Sequence, residues 1–220
     1  VRFSRCPEWV LVDTGVIARS PHRLLAAGVM DATAKHFETA YIPDRGTSKP
    51  AQWGTSIARE ASLSCLRGDA AEAVAACERD ELTGTVEDVV DACIAGPGLA
   101  AGLLGGQSHL LLGHVLCYTL LEYDGVSERS YHGERVAYGV LLFQLLMGED
   151  EGSVAGLKTW YEELGSDVSL DLASLGLRDV DERTLSGLAR EIAERSDDSL
   201  VDRDVTAEDV LDGLTTVEAM

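Results

Sequence analysis

The 220 residues carry 38 acidic against 18 basic side chains, a formal charge of -20, with 45% apolar and 25% charged residues. That length and balance suit one or two compact domains with a sizeable core, not a disordered chain. The negative field repels phosphate, which argues against nucleic acid and against an anionic membrane surface as partners.

In chain order, Trp9-Val10-Leu11-Val12 after Pro7 is the one convincing strand, closed by Asp13 and Gly15. A lone strand has no sheet to join unless something else supplies one. Ser20 as N-cap with Pro21 behind it predicts a short helix to Gly28, and residues 30–40 form a second helical stretch. Residues 43–50 read as a turn-rich loop. Helices are predicted over 53–67 and 70–79. Another runs over 86–94, opened by Thr85 with Asp88 three residues on. Gly96, Pro97, Gly98 and Gly102 then break or tighten the chain. A long apolar helix is expected over 106–122 and a connector over 124–130. Residues 136–147, apolar on nearly all sides, form a buried helix. An amphipathic helix over 154–164 and a helical turn over 169–175 follow. Helices over 183–195 and 206–217, the last capped by Thr206, end the chain. The fold class is therefore all-α, eight to ten helices with one stray strand. No glycine-rich loop follows a strand, so a nucleotide-binding fingerprint is not expected in these residues.

Lys35, Lys49 and Lys158 are the only lysines. Acid excess with so little lysine is the surface of a protein working in concentrated salt, where screening tolerates crowded carboxylates; the plainer reading is an ordinary acidic cytoplasmic protein. The five cysteines are odd in number and form no CxxC pair. This argues against a disulfide framework or a cysteine zinc site and makes Cys65, Cys77 and Cys93 small buried hydrophobes. The most apolar segment, 110–121, contains His114 and Tyr118 and reads as a buried helix, not a membrane span. No secretory leader is recognisable, so the cytoplasm is the expected location.

The chemistry-bearing residues are few. Asp31 sits in an apolar run where an unpaired carboxylate is costly, His114 in a deeply apolar helix, and His132 at the head of His132-Gly133-Glu134-Arg135. One carboxylate and two imidazoles leave an open position on a tetrahedral metal. The alternative is an aspartate in a first helical turn and two hydrogen-bonded core histidines. His109 competes with His114 as a ligand; the two lie about 140° apart around a helix and do not share one metal comfortably. Glu38 falls on the face of Asp31 and can support a ligand from behind or pair with a base. Glu134 can do likewise or cap its helix. Lys35, one turn after Asp31, can neutralise Asp31 or Glu38.

Residues 9–21 and 24–32, with the His132-Gly133-Glu134 turn, Leu175-Gly176-Leu177 and residues 205–210, resemble the C-terminal helical domain of the glycerol dehydrogenase family. That family lies in the iron-containing alcohol dehydrogenase and dehydroquinate synthase-like superfamily. The resemblance spans essentially the whole chain. It implies a metal held by Asp31, His114 and His132, which are ligands and not proton carriers. Ala101-Gly102 twelve residues ahead favours His114 over His109. Where the family has a further histidine, this chain has Cys117 and Tyr118; where iron-dependent members have a fourth ligand, it has Lys35. Zinc is thereby favoured over iron(II). The resemblance divides the chain into a junction, residues 1–20, and a helical metal-binding domain, residues 21–220. The family's NAD(P)-binding domain has no counterpart in these residues. The expected function is thus the metal-binding domain of an NAD(P)-dependent polyol dehydrogenase, acting on glycerol or a similar small polyol. It would be inactive unless a nucleotide-binding subunit is supplied separately, and homo-oligomers are compatible with it. Two alternatives stand beside it. One is the glycerol-1-phosphate dehydrogenase branch, weakened by Gln107-Ser108-His109 and by the shortage of positive charge; the other is a non-catalytic helical homologue that works by binding a partner.

Overall fold

A computed structural model describes residues 9–41, 48–103, 112–196 and 204–220, with the side chain of Leu112 excepted. Ten helices form among them: α1 (Thr14–Ala18), α2 (His22–Thr39), α3 (Lys49–Glu78), α4 (Gly84–Leu103), α5 (Leu112–Leu120), α6 (Val126–Arg129), α7 (His132–Leu146), α8 (Glu151–Glu162), α9 (Glu182–Ser196) and α10 (Ala207–Ala219). The all-α class holds. The strand does not form: residues 9–13 carry no regular structure, and no other strand exists among the described residues to pair with them. Extended propensity alone does not make a strand when the backbone donors and acceptors have no ladder to join.

Several predicted breaks are bridged. Gly28 does not divide α2, and Gly68 does not divide α3, which runs for 30 residues from a Ser48 cap. Helix α4 continues through Gly96, Pro97 and Gly98. Packing of α3 along α4 outweighs the local cost, about 1 kcal/mol for a helical glycine and about 3 for proline. Ser62 of α3 donates to the Ala92 carbonyl of α4 at 2.9 Å. Two caps also differ. The Ser20 hydroxyl donates back to the Val16 carbonyl, and Pro21 occupies the cap of α2. Thr83, not Thr85, caps α4, its hydroxyl accepting from the Val86 amide at 3.2 Å. Residues 169–175 form turns without a helix, whereas the Thr206 cap of α10 is present. Of the cysteines, Cys77 is buried and Cys65 and Cys93 are partly so.

Helix α7 is the axis of the fold. Val136, Ala137, Tyr138, Val140, Leu141 and Phe143 are fully buried, because α2, α5, α8 and α10 surround it. Two glycines permit the closest crossings. A β-carbon on Gly133 would lie 1.8 Å from the Ala27 carbonyl oxygen of α2, and one on Gly139 would lie 2.2 Å from the Gly113 oxygen of α5. Backbones at that distance bring α2, α5 and the start of α7 to one point. No helix is long and apolar enough to cross a membrane among the described residues.

Candidate metal centre

Asp31 lies mid-way along α2, His114 in the first turn of α5 and His132 at the first position of α7. The glycine crossings draw these three positions together. The Nε2 atoms of His114 and His132 each stand 3.6 Å from the same Asp31 oxygen, Oδ1. One ligand atom from each residue lies within 4.8 Å of the other two. Four ligands on a tetrahedral metal at roughly 2.1 Å stand about 3.4 Å apart. The donor set and its spacing therefore fit a divalent cation.

The far side of each imidazole is engaged. His114 Nδ1 is 3.0 Å from Glu38 Oε1, and Glu38 is fully buried. His132 Nδ1 is 3.3 Å from the buried Cys117 sulfur. Fixing Nδ1 leaves Nε2 free to face Asp31, the way metal-ligating histidines are ordinarily oriented. Lys35 Nζ sits 3.8 Å from Glu38 Oε2 and balances that buried charge. Glu134 does not reach the centre. Its carboxylate takes two contacts from Arg23, at 2.5 and 3.0 Å, and accepts from the Tyr131 amide at 2.7 Å, capping α7.

The metal-free charges follow from this geometry. Burial works to raise the Asp31 carboxyl, but His114 and His132 override it and hold it well below the usual carboxylate range. Burial works to lower His114, yet Asp31 and Glu38 bring it up to about 9. Asp31 first, and Cys117 second, push His132 up to about 10. The centre opens to solvent, with Asp31 and His132 half-exposed and His114 largely covered. Tyr118 flanks the opening, its ring centroid 6.4 Å from that of His114 and 6.3 Å from that of His132.

The three predicted ligands thus come together. His109 lies outside the described residues. His22 pairs with Asp167 at 3.2 Å and takes no part. The contact that sequence reasoning missed is Cys117 on His132. Its only signal was spacing: Cys117 and Tyr118 follow His114 by three and four residues, on the same face of α5.

No family model matches the sequence. Among curated proteins it is 29% identical to glycerol dehydrogenase of Citrobacter freundii, over 80% of this chain and 48% of that protein. It is 27% identical to glycolaldehyde reductase of Halobacterium salinarum, over 99% of this chain and 59% of that protein. Among solved structures it superposes on a probable glycerol dehydrogenase of Sinorhizobium meliloti with a TM-score of 0.85, at 24% identity, over 99% of this chain and 61% of that one. Over the matched residues the chain is similar to glycerol dehydrogenases in sequence and in fold. Its helices share the fold of the matched part of that structure. The chain spans about half the length of the curated relatives it matches.

Proposed function

We propose that Asp31, His114 and His132 hold one divalent cation, zinc in preference to iron(II), and that the chain forms the hydroxyl-binding domain of a polyol dehydrogenase. The observation that carries this reading is the convergence of two oriented imidazole Nε2 atoms on a single Asp31 oxygen, each at 3.6 Å. A cation bound there would supply Lewis acidity, lowering the pKa of a substrate hydroxyl so that its carbon becomes a hydride donor. Asp31 offsets part of the positive charge. Glu38 and Cys117 lock the two rings, and Tyr118 forms a wall beside the opening. Half-exposure of Asp31 and His132 leaves the approach open to a substrate as small as glycerol. A nicotinamide coenzyme, NAD or NADP, is the hydride acceptor this reading requires, delivered by a domain outside these residues.

The same reading assigns residues 1–20 to a domain junction and residues 21–220 to the metal-holding domain. Trp9 is 90% and Leu11 100% exposed, which suits a surface that another domain covers. The acidic, lysine-poor composition suits work in concentrated salt inside the cell.

Metal analysis by mass spectrometry on the purified chain, beside His132→Ala, tests the proposal. The expected result is about one zinc per wild-type chain and loss of that zinc in a variant with unchanged circular dichroism. Wild-type protein that neither carries metal nor takes up zinc on titration would overturn it.

A further inference from the structure

Lys35 stands one helical turn after Asp31 on the same face of α2, about 6 Å further along the axis. Its side chain is 20% exposed, so the ammonium is open to a small molecule at the mouth of the centre. The Nζ atom lies 3.8 Å from Glu38 Oε2, close enough to balance charge and too far for a hydrogen bond. It donates to no described residue. The other two lysines are placed differently. Lys158 is buried and donates to the Val217 carbonyl at 3.1 Å, and Lys49 donates to Gln52 at the start of α3.

The charges around the centre do not cancel. With both imidazoles neutral, as ligands must be, Asp31 and Glu38 bring two negative charges and Lys35 one positive. A divalent cation held there would leave the centre one positive charge in excess, inside a chain of net charge -20. A neutral polyol neither cancels that excess nor uses the N–H groups of Lys35. A ligand with a single negative charge does both.

We propose that Lys35 is a substrate-positioning residue and that the substrate is a short polyol acid, a hydroxy carboxylate of the glycerate class. One hydroxyl faces the cation held by Asp31, His114 and His132, and the carboxylate accepts from the Lys35 ammonium. This rests on the cation reading given above. The flexible four-carbon stem of lysine lets its point charge follow the carboxylate of a short chain. A phosphate ester carries more negative charge than one ammonium matches, and an amine would be repelled by both the cation and Lys35.

The test uses the full chain loaded with cobalt(II), whose visible absorption moves when a ligand reaches the metal. Glycerate, glycerol and glycerol 1-phosphate are titrated in turn. Glycerate is expected to bind at least about tenfold more tightly than glycerol, and more tightly than the phosphate ester. Lys35→Met should remove most of that preference, and Lys35→Arg should keep it. Because Lys35→Met strips Glu38 of its cation, a double variant, Lys35→Met with Glu38→Gln, is titrated beside it; the glutamine oxygen still accepts from His114 Nδ1 and no buried charge is left unpaired. Three results would overturn the proposal: glycerol binding as tightly as glycerate, glycerol 1-phosphate binding more tightly than glycerate, or a glycerate preference that survives loss of the lysine, which would mean that the carboxylate sits on the metal itself. A parent chain without cobalt absorption would overturn the cation reading and this one with it, whereas cobalt absorption without a glycerate preference overturns this one alone.

Discussion

Gly133→Ala should disable the metal centre by moving helices and not by touching a ligand. The new β-carbon would lie 1.8 Å from the Ala27 oxygen, 2.6 Å from its carbonyl carbon and 3.0 Å from its α-carbon. An ordinary carbon–oxygen contact is about 3.2 Å or more, so α7 must withdraw from α2 by roughly 1.4 Å. All three offending atoms are backbone, in the middle of a helix, and cannot rotate away. The displaced part of α7 carries His132, and the displaced part of α2 lies one turn before Asp31. A metal site tolerates about 0.2 Å in its ligand distances, several times less than this movement. The cost in stability should reach or exceed the upper end for overpacking, about 3 kcal/mol. Urea unfolding measures the stability, and competition with a chromogenic chelator measures zinc affinity. Gly28→Ala is the counterpart. It lies in the same helix one residue from Ala27, but nothing is within 4 Å of its β-carbon. It should stabilise α2 by about 0.5–1 kcal/mol and leave zinc affinity unchanged. A Gly133→Ala protein with parental stability and zinc affinity would refute the crossing as the element that assembles the site.

Glu134→Ala should destabilise the fold by about 3 kcal/mol in urea, because it removes both the cap of α7 and the buried partner of Arg23. Glu134→Gln should cost about half as much, and a Gln variant as stable as the parent would show that the charge contributes nothing. Above pH 10 the chain should lose stability steeply. Burial holds the phenols of Tyr138 and Tyr161 protonated well above their ordinary range in the folded state, whereas the unfolded phenols ionise near pH 10. Their stabilising effect is complete below pH 10, and each should lose about 1.4 kcal/mol per further pH unit. Tyr161→Phe should lessen that slope by about 1.4 kcal/mol per pH unit above pH 10, read from unfolding taken between about pH 9 and 11.5; an unchanged slope would remove Tyr161 from the account.

The helical class and the buried α7 were legible in the sequence because they rest on local pattern. Residues 136–147 are apolar on nearly all sides, and a central helix buries such a surface. The breaks placed at Gly28, Gly68 and Pro97 were wrong for the complementary reason. A residue's local penalty is about 1–3 kcal/mol, and a helix packed along its length against a neighbour recovers more than that. The segment Trp9-Val10-Leu11-Val12 shows the opposite limit. Its preference for an extended backbone is real, yet a strand is a property of two chains of hydrogen-bonding groups, and these residues have only one.

Asp31, His114 and His132 were legible as types but not as a place. They are 83 and 18 residues apart in sequence, and nothing in their own segments fixes a distance between α2 and α5. What fixes it is a pair of small residues that carry no chemistry. Gly133 lets α7 touch α2, and Gly139 lets the same helix touch α5 at Gly113, one residue before His114. The histidine-glycine-glutamate turn therefore does three jobs in three consecutive residues. His132 is the ligand, Gly133 sets how close the ligand comes to Asp31, and Glu134 caps the helix that holds both. Each job depends on the next: a helix that frays at Glu134 or is held off at Gly133 cannot keep an imidazole 3.6 Å from a carboxylate oxygen. The Cys117 contact belongs to the same construction, since the sulfur reaches His132 only because α5 and α7 cross at glycine distance. Substitutions at Gly113 and Gly139 should accordingly disturb the two histidines together, and substitutions at Cys117 should disturb His132 alone.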